Sequence, residues 1–237
     1  MADPLVIRAD DGPITILTLN APASLNALST AMLRALDAAL DAIGEGVRVV
    51  ILRGGAAAYQ ALFTLCAHVM QKLATLPQPV IAQVQGVATA AGCQLAASCD
   101  LVVAADTARF GVNGVNIGLF CATPMVALIR KIAPSAALEY LLTGEMIPAR
   151  RACELGLVTR TAPEAELEQT TLALARQIAA KLPVAIRHGK HAFQVAVGLP
   201  LSEAYQAAGE VMCANLMKPE TAEGIQAFLD KRKPDWA

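Results

Sequence analysis

The stretch VQGVATAAGCQLAASCDL, from Val84 to Leu101, predicts a strand, a tight turn of small residues, the start of a helix and a second apolar strand. Between Gly86 and Cys93 no side chain is larger than that of valine. The backbone can therefore approach a ligand closely, and the first turn of the helix directs free N–H groups towards it. Such a turn suits an anion or a developing oxyanion. Small residues also let a helix pack tightly on a sheet, so both interpretations stay open.

The segments around this stretch predict an α/β protein. Apolar or alternating runs favour strands near residues 5–7, 14–19, 47–52, 80–84 and 101–104, and helical spacing favours helices near 30–43 and 59–76. From residue 123 onward the pattern is helical, and only Leu157–Thr159 is expected to interrupt it as a strand. The sequence therefore predicts an α/β core over residues 1–160 and a helical C-terminal region over residues 161–237.

The composition limits the kinds of partner. Hydrophobic residues make up 55% of the 237 and charged residues 16%, against about 25% charged in typical proteins. The chain can bury a large core, and we expect some helix faces to be buried in a homo-oligomer. The net charge is −1, which gives no reason to expect nucleic acid binding. No apolar segment approaches the ~20 residues of a membrane span, so a membrane partner is not expected.

The cysteines and the N-terminus suggest a compartment. Six cysteines are scattered without a Cys-x-x-Cys pair, and there are three histidines. We interpret the cysteines as reduced, mostly buried thiols and expect no metal site. The sequence begins without a basic segment followed by an apolar one, which is not typical of a signal peptide. A cytoplasmic location is therefore expected.

A series of short motifs follows in a characteristic order along nearly the whole chain. The motifs are Asn20–Pro22 with Leu25–Leu28, Val47–Gly54, Val84–Asp100, Phe110–Gly118, Leu142–Gly144, Ala149 with Ala152, Gly156–Val158, and Glu223–Phe228 with Lys231–Pro234. In this order they resemble the crotonase superfamily, the enoyl-CoA hydratase/isomerase-like proteins. The resemblance implies a crotonase-like spiral of ββα repeats with a C-terminal helical trimerisation region.

The same resemblance implies a ligand and a site. The ligand would be an acyl-CoA thioester, as in fatty acid metabolism, with coenzyme A as part of the substrate and no further cofactor. Two backbone N–H groups would bind the thioester oxygen, one of them that of Ala91, beside Gly92. An alanine at residue 91 should be able to donate this backbone N–H if its φ is negative. Phe228 and Lys231 are candidate substrate-binding residues, for the ligand of the same or of a neighbouring subunit; the alternative is a core phenylalanine and a solvated lysine. The assembly would be a homotrimer or a dimer of trimers.

Two departures from the family bear on the reaction. Gln94 and Gly114 occupy the positions of the family's two catalytic glutamates, which perform general acid–base steps worth roughly 10²–10⁴-fold. We therefore expect a crotonase-type acyl-CoA enzyme, nominally an enoyl-CoA hydratase of the lyase/isomerase class, that does not hydrate efficiently. The alternatives are a catalytically degenerate acyl-CoA-binding oligomer and a scaffold. Gln94 could equally bond local backbone, and a turn glycine is the favoured interpretation of Gly114.

A third departure lies between Arg53 and Tyr59, where the family carries a longer segment with the second oxyanion N–H. The short segment is either a genuine deletion, which would argue for an inactive protein, or lacks the residues of a mobile CoA-binding loop, which we favour. A Cα–Cα step well above ~3.8 Å within residues 54–59 would indicate the latter.

Other polar groups near the motifs have competing roles. Asn113 and Asn116 could bond a carbonyl group or water, although Asn116 matches a structural asparagine of the family. Cys93 and Cys121 are conceivable nucleophiles, but a buried inert thiol is favoured for each. Asp100 is expected to bond backbone at the start of its strand.

Overall fold

The computed structural model describes residues 3–12, 14–21, 30–44, 47, 49–54 and 56–236. The chain divides into two compact units, Met1–Val69 and Met70–Ala237. The expected division at residue 160 stays a prediction. The motif Leu25–Leu28 lies outside the described residues.

The first unit holds a mixed three-stranded sheet. Strand β1 (Val6–Asp11) pairs antiparallel with β2 (Ile14–Leu19), and β2 pairs parallel with β3 (Val49–Gly54). Thr15 and Leu17 of β2 are buried, whereas Ile14 and Ile16 are half-buried. The apolar and polar alternation at the start of this strand would instead have placed Thr15 outside; its hydroxyl donates to the Asp10 carboxylate at 2.6 Å. Helix α1 spans Thr30–Asp41, and helix α2 spans Ala56–Thr75 and continues into the second unit.

The second unit contains two further three-stranded sheets. In one, β4 (Ile81–Val84), β6 (Leu101–Ala105) and β9 (Arg160–Ala162) are parallel. In the other, β5 (Val87–Thr89) pairs parallel with β7 (Arg109–Gly111), which pairs antiparallel with β8 (Met146–Pro148). Strand β9 begins at Arg160, directly after the strand predicted at 157–159. The strands β5, β7 and β8 were not predicted, because three-residue strands beside glycines and prolines carry too little alternation.

Helices dominate the rest of this unit, which confirms the helical pattern beyond residue 123. They are α3 (Ala91–Ser98), α4 (Ala122–Leu128), α5 (Pro134–Thr143), α6 (Ala149–Leu155), α7 (Leu167–Ala179), α8 (Pro183–Val197), α9 (Leu201–Leu216) and α10 (Pro219–Leu229). A 3₁₀ turn at Asn113–Ile117 follows β7. The core gathers around Val102, Phe110, Leu128 and Leu141, which are at most 1% exposed. In the described part of the chain, none of the helices is long and apolar enough to cross a membrane.

Candidate active site

The turn between β5 and α3 forms the centre of the site. Ala90 adopts φ 48° and ψ −114° immediately before the helix. Its N–H donates to the Gly111 carbonyl at 2.9 Å, and its own carbonyl accepts from the Gln94 N–H at 3.0 Å. Helix α3 then begins at Ala91, so its first N–H groups have no acceptor within the helix. Ala91 and Gly92 are exposed, so the backbone donors of this turn face solvent.

The backbone strain falls on Ala90 rather than on Ala91. Within the described residues, Ala90 and Lys231 are the non-glycine residues with positive φ, so Ala91 meets the condition that its donor role requires. A non-glycine residue in the conformation of Ala90 costs on the order of 1–3 kcal/mol, and such strain persists only where the surroundings fix it. The sequence could not reveal this, because Ala90 and Ala91 are identical residues side by side.

Gln94 lies one turn into α3 with 5% of its surface exposed. It has a partner within the protein. Residue 94, which the resemblance matches to the family's first glutamate, is therefore a buried, neutral amide. Such a group can orient a ligand or water but cannot exchange a proton near neutral pH. The choice between an orienting role and a purely local one stays a prediction.

Gly114 is required by its packing. It is buried in the 3₁₀ turn, and its carbonyl accepts from the Leu119 N–H at 2.9 Å. A Cβ atom there would overlap the Leu119 carbonyl oxygen and lie 2.8 Å from the Cys121 Sγ. No side chain fits without a backbone shift, which supports the interpretation of Gly114 as a turn glycine. Whether residue 114 replaces a catalytic glutamate of the family stays a prediction.

Two asparagines of the 3₁₀ turn have different roles. The Asn116 Nδ2 donates to the Gly144 carbonyl at 3.1 Å, which supports a structural role. The Asn113 Oδ1 accepts from the Thr89 hydroxyl at 2.5 Å. Sequence analysis named Asn113 but missed Thr89, because the register that brings them together belongs to the unpredicted pair β5 and β7.

The buried thiols are poor nucleophiles. Burial raises the pKa of Cys93 from 9.0 to about 11, although a hydrogen bond from the Gly111 N–H opposes the shift. Cys121 is 6% exposed, and no imidazole lies within 89–95 or 113–117. These observations favour inert thiols at both positions. The expectation that the cysteines are mostly buried is wrong for Cys153 and Cys213, which are exposed.

Within the described ranges, no cluster of three or more His, Cys, Asp or Glu side chains could hold a metal ion. The residues that build the site, 89–95 and 113–117, also contain no aspartate or glutamate. Hence the chemistry that this part of the site can offer is hydrogen bonding by backbone N–H groups, amides and a hydroxyl.

Asp100 follows α3 and fixes its C-terminal end. Its Oδ2 accepts from the Val80 N–H at 2.7 Å, which confirms the predicted backbone bond. It also pairs with the Lys190 Nζ at 2.6 Å, and the Lys131 Nζ donates to its carbonyl at 2.9 Å. Burial lowers the pKa of Lys131, and the charge of Asp100 opposes this shift. No local pattern predicts these partners, which lie 31 and 90 residues away.

The two tail residues lie at the end of α10. Phe228 is 81% exposed, so the alternative of a core phenylalanine is wrong for the single chain. Lys231 is exposed and takes φ 56°. The chain then turns back, because Glu223 accepts from both Arg232 nitrogens at 2.6 and 2.9 Å and from the Asp235 N–H at 2.8 Å.

One residue, Gly55, separates β3 from α2, and it lies outside the described residues. The Cα spacing that would distinguish a genuine deletion from absent loop residues therefore stays a prediction. The second oxyanion donor expected between Arg53 and Tyr59 is likewise untested.

Comparison with known proteins identifies the class. A solved structure of enoyl-CoA hydratase from Mycobacterium smegmatis superposes with a TM-score of 0.76 at 42% identity over 99% of both chains. The human enoyl-CoA hydratase domain-containing protein 3 structure has a TM-score of 0.75 at 38% identity, over 98% of this chain and 100% of that one. These similarities confirm the crotonase-like α/β fold.

The family model described as Enoyl-CoA hydratase/isomerase matches residues 59–237. This chain belongs to the enoyl-CoA hydratase/isomerase family, within the crotonase superfamily. By sequence it is 39% identical to the mitochondrial enoyl-CoA hydratase domain-containing protein 3 of Homo sapiens, over 254 aligned positions that cover 99% of this chain and 84% of the relative.

The relatives correct the expected location. Several similar proteins, including the human one, are named as mitochondrial, and the prediction of a cytoplasmic location is therefore wrong. Free thiols indicate a reducing environment, but they do not distinguish one reducing compartment from another. The cysteine pattern therefore could not distinguish the cytoplasm from a mitochondrial compartment.

Proposed function

We propose that this protein binds an acyl-CoA thioester and stabilises its enolate-like form through the backbone N–H of Ala91, without efficient enoyl-CoA hydration. The observation that carries the proposal is the open N-terminus of α3 behind the strained Ala90, in a chain of this family. Donors fixed where negative charge develops stabilise a transition state without reorganising. The thioester oxygen would accept from Ala91, with the ligand passing close to Gly92.

The lack of proton-transfer groups argues against hydration. Adding water to an enoyl thioester requires a base for the water and an acid for the α-carbon. Gln94 cannot supply either, and the packing of Gly114 against Leu119 leaves no room for a side chain. Deprotonation by a base outside 89–95 and 113–117, decarboxylation and thioester hydrolysis are the reactions that remain open to such a site.

The second donor decides between an enzyme and a binding protein. The 254 aligned positions exceed the 237 residues of this chain by 17, so the human relative has at least 17 residues without a counterpart. If these unmatched residues of the relative fall between the positions of Arg53 and Tyr59, this chain lacks the second backbone donor for the thioester oxygen. That loss costs about 3–4 kcal/mol of transition-state stabilisation. A genuine deletion there favours the alternative of a catalytically degenerate acyl-CoA-binding or scaffold oligomer.

A homo-oligomer is part of the proposal. Helices α8 and α9 have no fully buried residues. Large apolar side chains on the C-terminal helices are instead exposed, among them Phe193 at 67%, Leu201 at 76% and Tyr205 at 75%. Apolar surface of this extent marks an interaction site. A trimer or a dimer of trimers would cover it, and light scattering coupled to size exclusion would measure the assembly.

Gly92 allows a direct test of the ligand site. A Cβ atom at Gly92 would meet no atom within 4 Å, as would one at Gly189 in α8. Both G92A and G189A should therefore fold, and each should gain slightly from the helix preference of alanine. Only the methyl group at residue 92 would meet a bound thioester. We expect calorimetric titration with crotonyl-CoA to show at least tenfold weaker binding by G92A and wild-type affinity for G189A.

The assays then separate the candidate functions. Turnover of an acyl-CoA panel with slow hydration of crotonyl-CoA supports the enzyme, and binding without turnover supports the degenerate oligomer. The absence of binding to any CoA ester would leave the scaffold. Hydration at rates typical of an efficient hydratase would overturn the interpretation of Gln94 and Gly114.

A further inference from the structure

We propose that Thr89 and Asn113 are positioning residues for the oxyanion donor, because their hydrogen bond holds the strained Ala90 in the conformation that presents the Ala91 N–H. The pair lies on the two segments that border the site. Thr89 immediately precedes Ala90, and Asn113 immediately precedes Gly114. The meaning of this bond for catalysis depends on the function proposed above, whereas its effect on the turn does not.

Two hydrogen bonds hold the turn to β7 and the segment after it. The Ala90 N–H donates to the Gly111 carbonyl at 2.9 Å. The Thr89 hydroxyl reaches over the paired residue Gly111 to the Asn113 Oδ1 at 2.5 Å. Hydrogen bonds therefore restrain both Ala90 and the residue before it, Thr89.

The anchor on the far side of the bond is rigid. Asn113 begins the 3₁₀ turn in which Gly114 packs against the Leu119 carbonyl and the Cys121 sulfur. Because this packing restrains the Asn113 backbone, Asn113 does not shift with Thr89 if the Ala90 turn changes conformation. The side-chain bond thus opposes rotation of the Ala90 peptide, which strain would otherwise favour.

The bond can be removed without changing the shape of the turn. Thr89→Val exchanges the hydroxyl for a methyl group, and Asn113→Ala removes the acceptor. Thr89→Ser and Asn113→Asp keep the donor and the acceptor. Thr75→Val is a matched control, because the exposed hydroxyl of Thr75 makes a single bond, to the Gln71 carbonyl at 2.9 Å on α2.

Hydrogen exchange on the free protein is the first measurement. In fragments spanning residues 87–95, T89V and N113A should exchange the amide protons of Ala90 and Gln94 about tenfold faster, the size expected for one lost hydrogen bond. T89S, N113D and T75V should exchange as the wild type does. In T89V/A90G the acceleration should largely disappear, since glycine adopts the conformation of residue 90 without strain.

A ligand whose spectrum reports the oxyanion contact is the second measurement. The absorption of a 4-dimethylaminocinnamoyl-CoA moves to longer wavelength when its thioester oxygen accepts hydrogen bonds. T89V should reduce this shift in the bound state, and T89S should restore it. Unchanged exchange at Ala90 and Gln94 in T89V, or equal acceleration in T89V and T89V/A90G, overturns the positioning role. Failure of the ligand to bind the wild type instead refutes the proposed function and leaves the exchange result valid.

Discussion

Lys190 on α8 donates to Asp100 at the start of β6 with an Nζ–Oδ2 distance of 2.6 Å, although the two residues are 90 positions apart. The two side chains are 8% and 17% exposed. Lys190 also donates to the Gln78 carbonyl at 2.9 Å, while Asp100 accepts from the Val80 N–H. This ion pair connects α8 to the sheet directly behind α3, the helix that begins at the oxyanion turn.

Removing Lys190 alone should be costly. K190M leaves the partly buried Asp100 carboxylate without its cation, although the Val80 N–H still donates to it. Losing a hydrogen bond to a charged group in this way should destabilise by about 1.5–3 kcal/mol. Urea unfolding measures the loss. The double variant D100N/K190M should recover part of the stability, because no unpaired charge remains; a double variant less stable than K190M would contradict this explanation.

Glycine at residue 90 should stabilise the fold. A90G removes the strain of φ 48° at ψ −114°, so we expect a gain of about 1 kcal/mol after the greater entropy of glycine in the unfolded chain is subtracted. Thermal unfolding measures it. A91G, one residue along in the helix, is the control and should lose about 0.5–1 kcal/mol. Similar changes in both variants would show that Ala90 carries no strain.

We expect that a carboxylate can be introduced at residue 94 but not at residue 114. Q94E should hydrate crotonyl-CoA at least tenfold faster than Q94M, which has a similar size and no ionisable group. The rate should rise with pH as the buried carboxylate ionises. A Q94E enzyme no faster than Q94M would show that residue 94 does not face the reacting atoms.

Even the smallest side chain at residue 114 should disturb the fold. G114A places a methyl group against the Leu119 carbonyl, and we expect it to lose about 1–3 kcal/mol, as overpacked sites do. G86A is the matched control, because a Cβ atom there meets nothing within 4 Å. Equal stability of G114A and the wild type in urea unfolding would indicate that the turn yields readily.

Alkylation should distinguish the thiols. The pKa of Cys93 is raised to about 11 by burial, so at pH 8 it is protonated and inaccessible. We expect iodoacetamide to label the exposed Cys153 and Cys213 within minutes and Cys93 only after unfolding, as followed by mass spectrometry. Since the pKa is raised in the folded state, the stabilising contribution of Cys93 is complete below pH 9 and declines as pH rises towards 11. Labelling of Cys93 at the rate of Cys153 would contradict its burial.

The packing of the C-terminal tail after α10 should depend on pH. The hydrogen bonds from Arg232 and then from the Asp235 N–H lower the pKa of Glu223 from 4.5 to about 2. A lowered carboxyl pKa stabilises above pH 4.5, and this contribution is lost as pH falls from about 4.5 to about 2. Trp236, the one tryptophan of the sequence, packs on Gly224 and reports the change by its fluorescence.

The matched variant for the tail is E223Q. It should give the emission of the released tail already at neutral pH and remove the acid transition between pH 4.5 and 2. An acid transition of wild-type size in E223Q would assign the change to another group.

Much of the fold follows from local pattern. Long apolar or helically spaced runs predicted the helices beyond residue 123 and the strands β2, β4 and β6, because periodic burial over several residues leaves a clear signal. The strands β5, β7 and β8 have three residues each, so their pairing rather than their sequence defines them.

The sequence by itself determined the family and predicted the helix start near Ala91, since residue identity and order are sufficient for these; that Gln94 and Gly114 replace two catalytic glutamates stays a prediction. Only the tertiary structure decided that Ala90 carries the strain, that a side chain at residue 114 would clash with the Leu119 carbonyl, and that Thr89 and Lys190 have partners in distant segments. Backbone angles and contacts across the chain arise from packing many elements together, and no local stretch contains them.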